Sequence, residues 1–323
     1  MAPLTWVIGE GGLLGSGVAL AASRSGELWR APYAISWSAP CGAGDELGSL
    51  ARVFLRDAGD GPWSVLWCAG SGTIATPREV LAVELVALRA TLSALGTATG
   101  AERGAFFFAS SAGGVYAGVG APPYDEFSPV HALSDYGRAK IEAEALVSEW
   151  HERFGIPTLI GRIANIYGPG QNINKAQGLI SQICRSQLLG RPLSVYVPLD
   201  TLRDYLFAPD CAGLIVDAMA RLRELDHTTT PGAITKVLAS QRAITVGAVI
   251  GEMRRIFKNP PRIVSAASLS SSVQVRDLSL ISKVWSDLDR RTLTPFPVGV
   301  AVTWADLLRR LQGSGLTTLG GAA

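Results

Sequence analysis

The sequence predicts an α/β protein: a doubly wound, parallel sheet followed by a smaller mixed α/β C-terminal lobe. Three observations carry this. Short β-rich runs alternate with longer helical patterns through the first half of the chain, the rhythm of parallel strands joined by crossover helices. A glycine-rich turn separates the first strand from the first helix. After about residue 170 the alternation gives way to helices separated by loops rich in Pro, Ser and Thr.

Taken in order, Leu4–Ile8 is an uninterrupted apolar strand, and a helix of small residues follows the glycines to about Ser23. Tyr33–Trp37 reads as the second strand and Ser64–Cys68 as the third. A helix from about Pro77 to Leu95 carries Val80, Val83, Val86, Leu88 and Leu92 on its predicted buried face. Ala105–Ala109 is the next strand, Tyr136–Trp150 a helix with Ala139, Ala143, Leu146, Val147 and Trp150 inward, and Pro157–Ile160 a further strand. Helices are expected at 176–188, 210–223, 245–257 and 301–311, with strands at 194–197 and 234–238 as candidates to rejoin the main sheet. The division predicted is 1–170 for the first domain, 171–312 mainly for the second lobe, and 313–323 for a flexible tail.

Composition narrows the function classes. The chain has 323 residues, 48% of them hydrophobic and 17% charged, enough for a substantial core. Its 29 basic and 27 acidic residues leave a formal charge of +2, which gives no electrostatic case for nucleic acid or an anionic membrane. No apolar run is long enough for a membrane span, and the N-terminus lacks the basic start of a secretion signal. Cys41, Cys68, Cys184 and Cys211 form no CxxC pair, and His131, His151 and His227 supply no metal-ligand spacing. Reduced thiols, a cytoplasmic location and no metal are the expectations.

In Val7-Ile8-Gly9-Glu10-Gly11-Gly12-Leu13-Leu14-Gly15, Gly9 suits a tight turn, Gly12 the close approach of a pyrophosphate, and Gly15 close helix–strand packing. Leu13 and Leu14 open the helix whose N-terminus faces the anion. A GxxGxxG spacing arises by chance roughly 0.4 times in such a chain; its place after the first strand makes it informative. This is the layout of a Rossmann-type dinucleotide domain. At the end of the expected second strand, Ala34-Ile35-Ser36-Trp37 holds no acid for ribose hydroxyls. That leaves NAD or NADP open with a lean to NADP, and puts Ser36 at the cofactor.

Tyr136 and Lys140 stand four apart on one predicted helix face. The chain has seven tyrosines and only five lysines, so a chance Y-x-x-x-K arises about 0.1 times. An ammonium beside a phenol favours the phenolate and makes Tyr136 a usable acid/base. Upstream, Phe106-Phe107-Phe108-Ala109-Ser110-Ser111 is a strand ending in two hydroxyls, one of which can hydrogen-bond a substrate oxygen.

These elements together resemble the extended short-chain dehydrogenase/reductase superfamily, in its NAD-dependent epimerase/dehydratase branch acting on nucleotide sugars. The likeness runs through the glycine motif, Trp67-Cys68-Ala69-Gly70, Ser110–Gly118, Asp125-Glu126-Phe127-Ser128-Pro129, Gly161–Gln171 (GRIANIYGPGQ) and Leu202-Arg203-Asp204-Tyr205 with Pro209-Asp210. It implies Tyr136 as acid/base and Lys140 as the ligand of the nicotinamide ribose. It implies Ser111, in preference to Ser110, on the reacting oxygen, and Cys68 and Ala69 beside the cofactor. Asn165 and Arg203 are implied at the substrate diphosphate, and Arg276 at its nucleotide end. Homodimerisation through the helices at 77–95 and 136–150 is also implied.

Departures from the family pattern refine the reaction. Its dehydratases carry Asp-Glu just after the active-site hydroxyl and its decarboxylases a Glu there; this chain has Ala112-Gly113. Epimerase/reductases acting at C3 and C5 need a Cys and a His near the sugar, and no cysteine lies in this loop. What remains is a 4-epimerase, or alternatively an NADPH-dependent 4-ketoreductase, both needing only Ser, Tyr and Lys. A non-catalytic dinucleotide-binding regulator, or a reductase of a non-sugar carbonyl, fits the motifs less well. Glu84 stands where the family often has Asn, and the acidic adenine motif is not recognisable between Asp45 and Asp60.

Overall fold

The computed structural model describes residues 2–37, 42–70, 72–117, 120–172, 178–225, 232–257, 260–266 and 275–313. Cys41, Gly118, His227 and the tail beyond Gly313 lie outside the described residues. The N-terminal half runs β1 (Leu4–Ile8), α1 (Leu13–Ala22), β2 (Glu27–Trp29), α2 (Gly42–Ala58), β3 (Trp63–Trp67), α3 (Arg78–Gly96), β4 (Gly104–Ser111), α4 (Ala112–Val115), α5 (Asp135–Phe154) and β5 (Thr158–Ile163). The rest runs β6 (Asn165–Tyr167), α6 (Leu179–Leu188), β7 (Leu193–Val195), β8 (Leu202–Phe207), α7 (Ala208–Glu224), β9 (Ile234–Leu238), β10 (Ala243–Thr245), α8 (Val246–Ile256), β11 (Ile263–Ser265), β12 (Asp277–Leu278) and α9 (Phe296–Gly313).

The main sheet is parallel throughout, in the order β2-β1-β3-β4-β5-β9. The order reverses between β1 and β3, so the ligand crevice of such a sheet lies over their C-terminal ends. β1, β3 and β4 are buried almost throughout, which explains their continuous apolar sequences. One core cluster lies on the face covered by α1 and α7, with Val18, Leu214 and Ile215. The other, with Leu47, Phe54, Leu88 and Val147, lies under α2, α3 and α5.

The second strand differs from the sequence expectation. It is Glu27–Trp29, not Tyr33–Trp37. The chain turns back directly after α1, and Trp29 packs edge-on against Trp6 at 5.1 Å and against Phe54 at 5.4 Å. Pro32, which has no N–H to give a ladder, then ends any pairing. Among the described residues no strand lies outside β2, whereas the usual doubly wound order has a third strand there. The adenine motif sought between Asp45 and Asp60 falls instead on the amphipathic helix α2, with Leu47, Leu50, Ala51 and Phe54 buried.

A second correction concerns α3, where Val80 and Val86 are 54% and 48% exposed. A three-residue step drifts off the 3.6-residue turn. The buried face runs instead through Leu81, Leu88 and Leu95.

Of the two late strands, 234–238 joins the main sheet as β9 beside β5, while β7 pairs with β11 in the second lobe. There Val195 packs with Ile183, Val249, Met253 and Leu307 from α6, α8 and α9. β8 links the lobes by pairing with β6, β10 and β12. Buried Lys236 on β9 donates to Asp289 at 2.9 Å and to Ser282 at 2.8 Å, and Ser282 donates to Glu126 at 2.9 Å. This tethers 282–289 to the sheet edge.

Candidate active site

The crevice over β1 and β3 is formed by close approach of backbone. A Cβ on Gly9, whose φ is +94°, would lie 2.6 Å from the Ala69 nitrogen, and one on Gly15 would lie 2.0 Å from the Gly9 carbonyl oxygen. Only glycine therefore lets the turn, the end of β3 and the start of α1 meet. No side chain caps α1 at Gly12, and its first turn carries no acid. The first-turn N–H groups at Leu13, Leu14 and Gly15, with the positive end of the helix dipole, are thus left for an anion. These residues fit a dinucleotide pyrophosphate. Cys68 extends the ladder by donating its N–H to the Ile8 carbonyl at 2.8 Å, and burial pushes its thiol up to about 12.

Tyr136 lies in the first turn of α5, which Ser134 caps by accepting the Gly137 N–H at 3.1 Å. A Cβ on Gly114 would lie 3.3 Å from Tyr136 Cε1 and 3.5 Å from Ser111 Cβ. The ring edge and Ser111 therefore line one small space. The opposite edge faces Gly72 beyond β3, where a Cβ would lie 3.1 Å from Tyr136 Cδ2. One turn along α5, Lys140 is buried with its ammonium 5.9 Å from the Tyr136 ring centroid and 5.1 Å from that of Phe108. Its Nζ donates to Glu84 Oε1 on α3 at 2.8 Å. Burial works against the Lys140 charge, but Glu84, Tyr136 and Glu144 together outweigh it and hold the lysine above its ordinary value.

The two serines are separated by their surroundings. Ser110 is buried and donates to Glu144 Oε1 at 2.5 Å, while Glu144 is held by Arg162 at 2.7 Å. Ser111, half-buried, accepts the Gly114 N–H at 3.3 Å as the cap of α4. Asn165 opens β6, and its Oδ1 lies 3.9 Å from the place a Cβ on Gly113 would take; its amide thus faces the start of α4. Arg203 on β8 lies opposite Leu278 and Ile244. Burial pulls its guanidinium below the ordinary value, opposed by Tyr205 and Asp277.

Two expected residues stand apart. Ser36 is exposed on the loop after β2, where its N–H donates to Glu46 at 2.8 Å, because the strand meant to present it ends earlier, at Trp29. Arg276 is exposed and paired with Asp200 at the outer side of β12. Sequence reasoning missed Arg30, which directly follows β2 and pairs with Glu10 of the glycine turn. Misplacing the strand hid it.

A doubly wound sheet with a glycine turn at its switch point and a Tyr–Lys couple beside a serine defines a dinucleotide-dependent protein of short-chain dehydrogenase type. The sequence model of the NAD dependent epimerase/dehydratase family matches residues 6–231, and the chain belongs to that family. Among curated proteins it is similar to the dTDP-glucose 4,6-dehydratase of Haemophilus influenzae, 35% identical over 89 residues that cover 28% of this chain and 25% of that protein. It is also similar to UDP-glucuronic acid decarboxylase 5 of Arabidopsis thaliana, 33% identical over 34% of this chain and 32% of that protein. The chain thus aligns with about a quarter to a third of the length of these relatives. Among solved structures, the Thermus thermophilus UDP-glucose 4-epimerase in complex with NAD superposes with a TM-score of 0.77, covering 94% of this chain and 98% of that one at 18% identity. No helix among the described residues is long and apolar enough to cross a membrane.

Proposed function

We propose that the chain is a nucleotide-sugar 4-epimerase. The observation that carries this is the convergence of Ser111 and Tyr136 on one space, with Lys140 beneath and Ala112-Gly113 directly after the serine. The positions that would hold a dehydrating or decarboxylating acid are apolar. A bound nicotinamide dinucleotide supplies hydride acceptance and return. Tyr136 takes the proton from the sugar C4 hydroxyl as the ketone forms and gives it back when the other face is reduced. Ser111 hydrogen-bonds the same oxygen, and Lys140 holds the nicotinamide ribose. Asn165 and Arg203 take the diphosphate. Exposed Val80 and Val86 on α3 support a homodimer through α3 and α5, and the free thiols Cys68, Cys184 and Cys211 support a cytoplasmic location.

A 4-ketoreductase is the second reading, favoured by Arg30. A guanidinium directly after β2, paired with Glu10 of the glycine turn, suits the 2′-phosphate of NADP once it leaves that carboxylate. One experiment separates the two. The purified chain is assayed with UDP-, dTDP- and GDP-hexoses and with a 4-keto nucleotide sugar, following C4 configuration and NADPH absorbance. Interconversion of C4 epimers without net change of dinucleotide supports the epimerase. Stoichiometric NADPH loss with the keto-sugar supports the reductase, and neither result overturns both.

A further inference from the structure

The ammonium that the Tyr136 chemistry depends on is not alone. Lys140 Nζ lies 2.8 Å from Glu84 Oε1, with the two side chains only 8% and 16% exposed. The carboxylate reaches this place because Gly70, at φ +142°, follows β3. A Cβ there would lie 3.1 Å from both Glu84 oxygens. Glu84 therefore sits against the backbone at the C-terminal end of β3, under the same crevice that the glycine turn faces. Leu81, Leu85, Leu88, Ala139 and Ala143 wall the pair between α3 and α5.

We propose that Glu84 is a positioning residue for the Tyr136–Lys140 couple: its carboxylate pins the Lys140 ammonium at the end of β3 and offsets the pull of that charge on the Tyr136 hydroxyl. This deepens the reading of Tyr136 as acid/base and rests on it. An unpartnered lysine beside a phenol favours the phenolate. A lysine neutralised by a carboxylate exerts the field of a dipole, which falls off faster than that of a charge. The remaining groups around the couple do not undo this. Glu144, one turn further along α5, also acts on Lys140, but it is held by Arg162 of β5. β4 contributes the Ala109 carbonyl, 3.5 Å from Nζ, and the Phe108 ring. α4 is Ala-Gly-Gly-Val and has no ionisable side chain.

The consequence is a polarity. In reduction, a bound reduced nicotinamide would supply the hydride to the carbonyl carbon, and Tyr136 would give its proton to the carbonyl oxygen and be reprotonated from solvent. This direction asks Tyr136 to donate rather than accept, so the pairing favours the second reading, the 4-ketoreductase, over the 4-epimerase, whose first half-reaction needs Tyr136 as acceptor.

The test compares the full chain with Glu84→Gln and Glu84→Asp. Ionisation of Tyr136 is read as the near-ultraviolet phenolate difference spectrum against a Tyr136→Phe background, which needs neither substrate nor turnover. The expected result is that Glu84→Gln moves the phenolate midpoint down by about one pH unit, while Glu84→Asp, which keeps the carboxylate, moves it by less than half of that. NADPH binding, read by energy transfer from tryptophan, weakens in Glu84→Gln as Lys140 loses its anchor. If Glu84→Gln fails to fold, Glu84→Asn is read in the same way. An unchanged or raised midpoint in the folded neutral variant overturns the proposal. A lowered midpoint in a protein that turns over no nucleotide sugar leaves it standing and overturns the proposed function instead.

Discussion

Ser110 and Glu144 meet at 2.5 Å beneath the candidate site, and this contact separates Ser110 from its neighbour Ser111. A hydroxyl committed to a buried carboxylate cannot turn to a substrate without leaving that carboxylate short of a donor. Ser111→Ala is therefore expected to lower kcat about 10- to 1,000-fold with little change in stability. Ser110→Ala is expected to lose roughly 1–3 kcal/mol of stability while kcat stays within a few-fold. Steady-state kinetics beside urea titrations check this, and the opposite pattern would make Ser110 the active-site hydroxyl.

Arg30 sets the second expectation. Its guanidinium lies at the end of β2 against Glu10 of the glycine turn. A charge-assisted bond from Arg to a 2′-phosphate contributes on the order of 1.5–3 kcal/mol. Arg30→Ala should therefore weaken NADPH binding at least about tenfold and leave NADH binding nearly unchanged. Fluorescence titration with each dinucleotide decides it. Equal loss for both would place Arg30 at the shared pyrophosphate.

Much of this site could be read in the sequence, because its chemistry is local. Gly9, Gly12 and Gly15 belong to one turn, and Tyr136 and Lys140 to one face of one helix. The buried strands β1, β3 and β4 were equally legible, since burial on both faces demands continuous apolar runs. β2 was not. A three-residue edge strand carries almost no periodicity, and Tyr33–Trp37 has the stronger β composition. That single displacement put Ser36 rather than Arg30 at the expected strand end. The Glu84–Lys140 and Glu144–Arg162 pairs join residues 56 and 18 positions apart, and only the packing of α3 and β5 against α5 brings them together.

Alkaline pH is expected to destabilise the fold. Burial pushes the thiols of Cys68 and Cys184 from 9.0 up to about 12, and the phenols of Tyr116 and Tyr205 from 10.0 up to about 12. Each group holds its proton more tightly in the folded chain. Above pH 9 the unfolded chain gives up protons that the folded chain keeps, so stability falls as pH rises and levels off only near pH 12. The loss across that window is about 4 kcal/mol for each thiol and about 3 kcal/mol for each phenol. Urea midpoints measured from pH 8 to 11 should fall steadily, and Cys184→Ala should flatten the slope. A flat profile in the parent chain would show that these groups titrate as if exposed.

The Arg162–Glu144 pair gives the final test, because it supports both the serine strand and the loop before α5. Arg162 donates to Glu144 through Nη2 at 2.7 Å and to the Tyr116 hydroxyl through Nη1 at 3.0 Å. Tyr116 in turn donates to the Asp125 carbonyl at 2.6 Å. Both ends of the ion pair are 10% exposed, so removing one leaves a buried charge with too few partners. Arg162→Met should cost about 3–5 kcal/mol, and the double variant Arg162→Met/Glu144→Leu should recover most of that loss. If the recovered double variant also keeps the parent kcat, the network contributes stability alone. The expected outcome is recovery of stability with a lasting fall in kcat, since Arg162 no longer holds the Tyr116 hydroxyl and the Glu126 carbonyl, and the end of β5 and the loop before α5 lose their common tether.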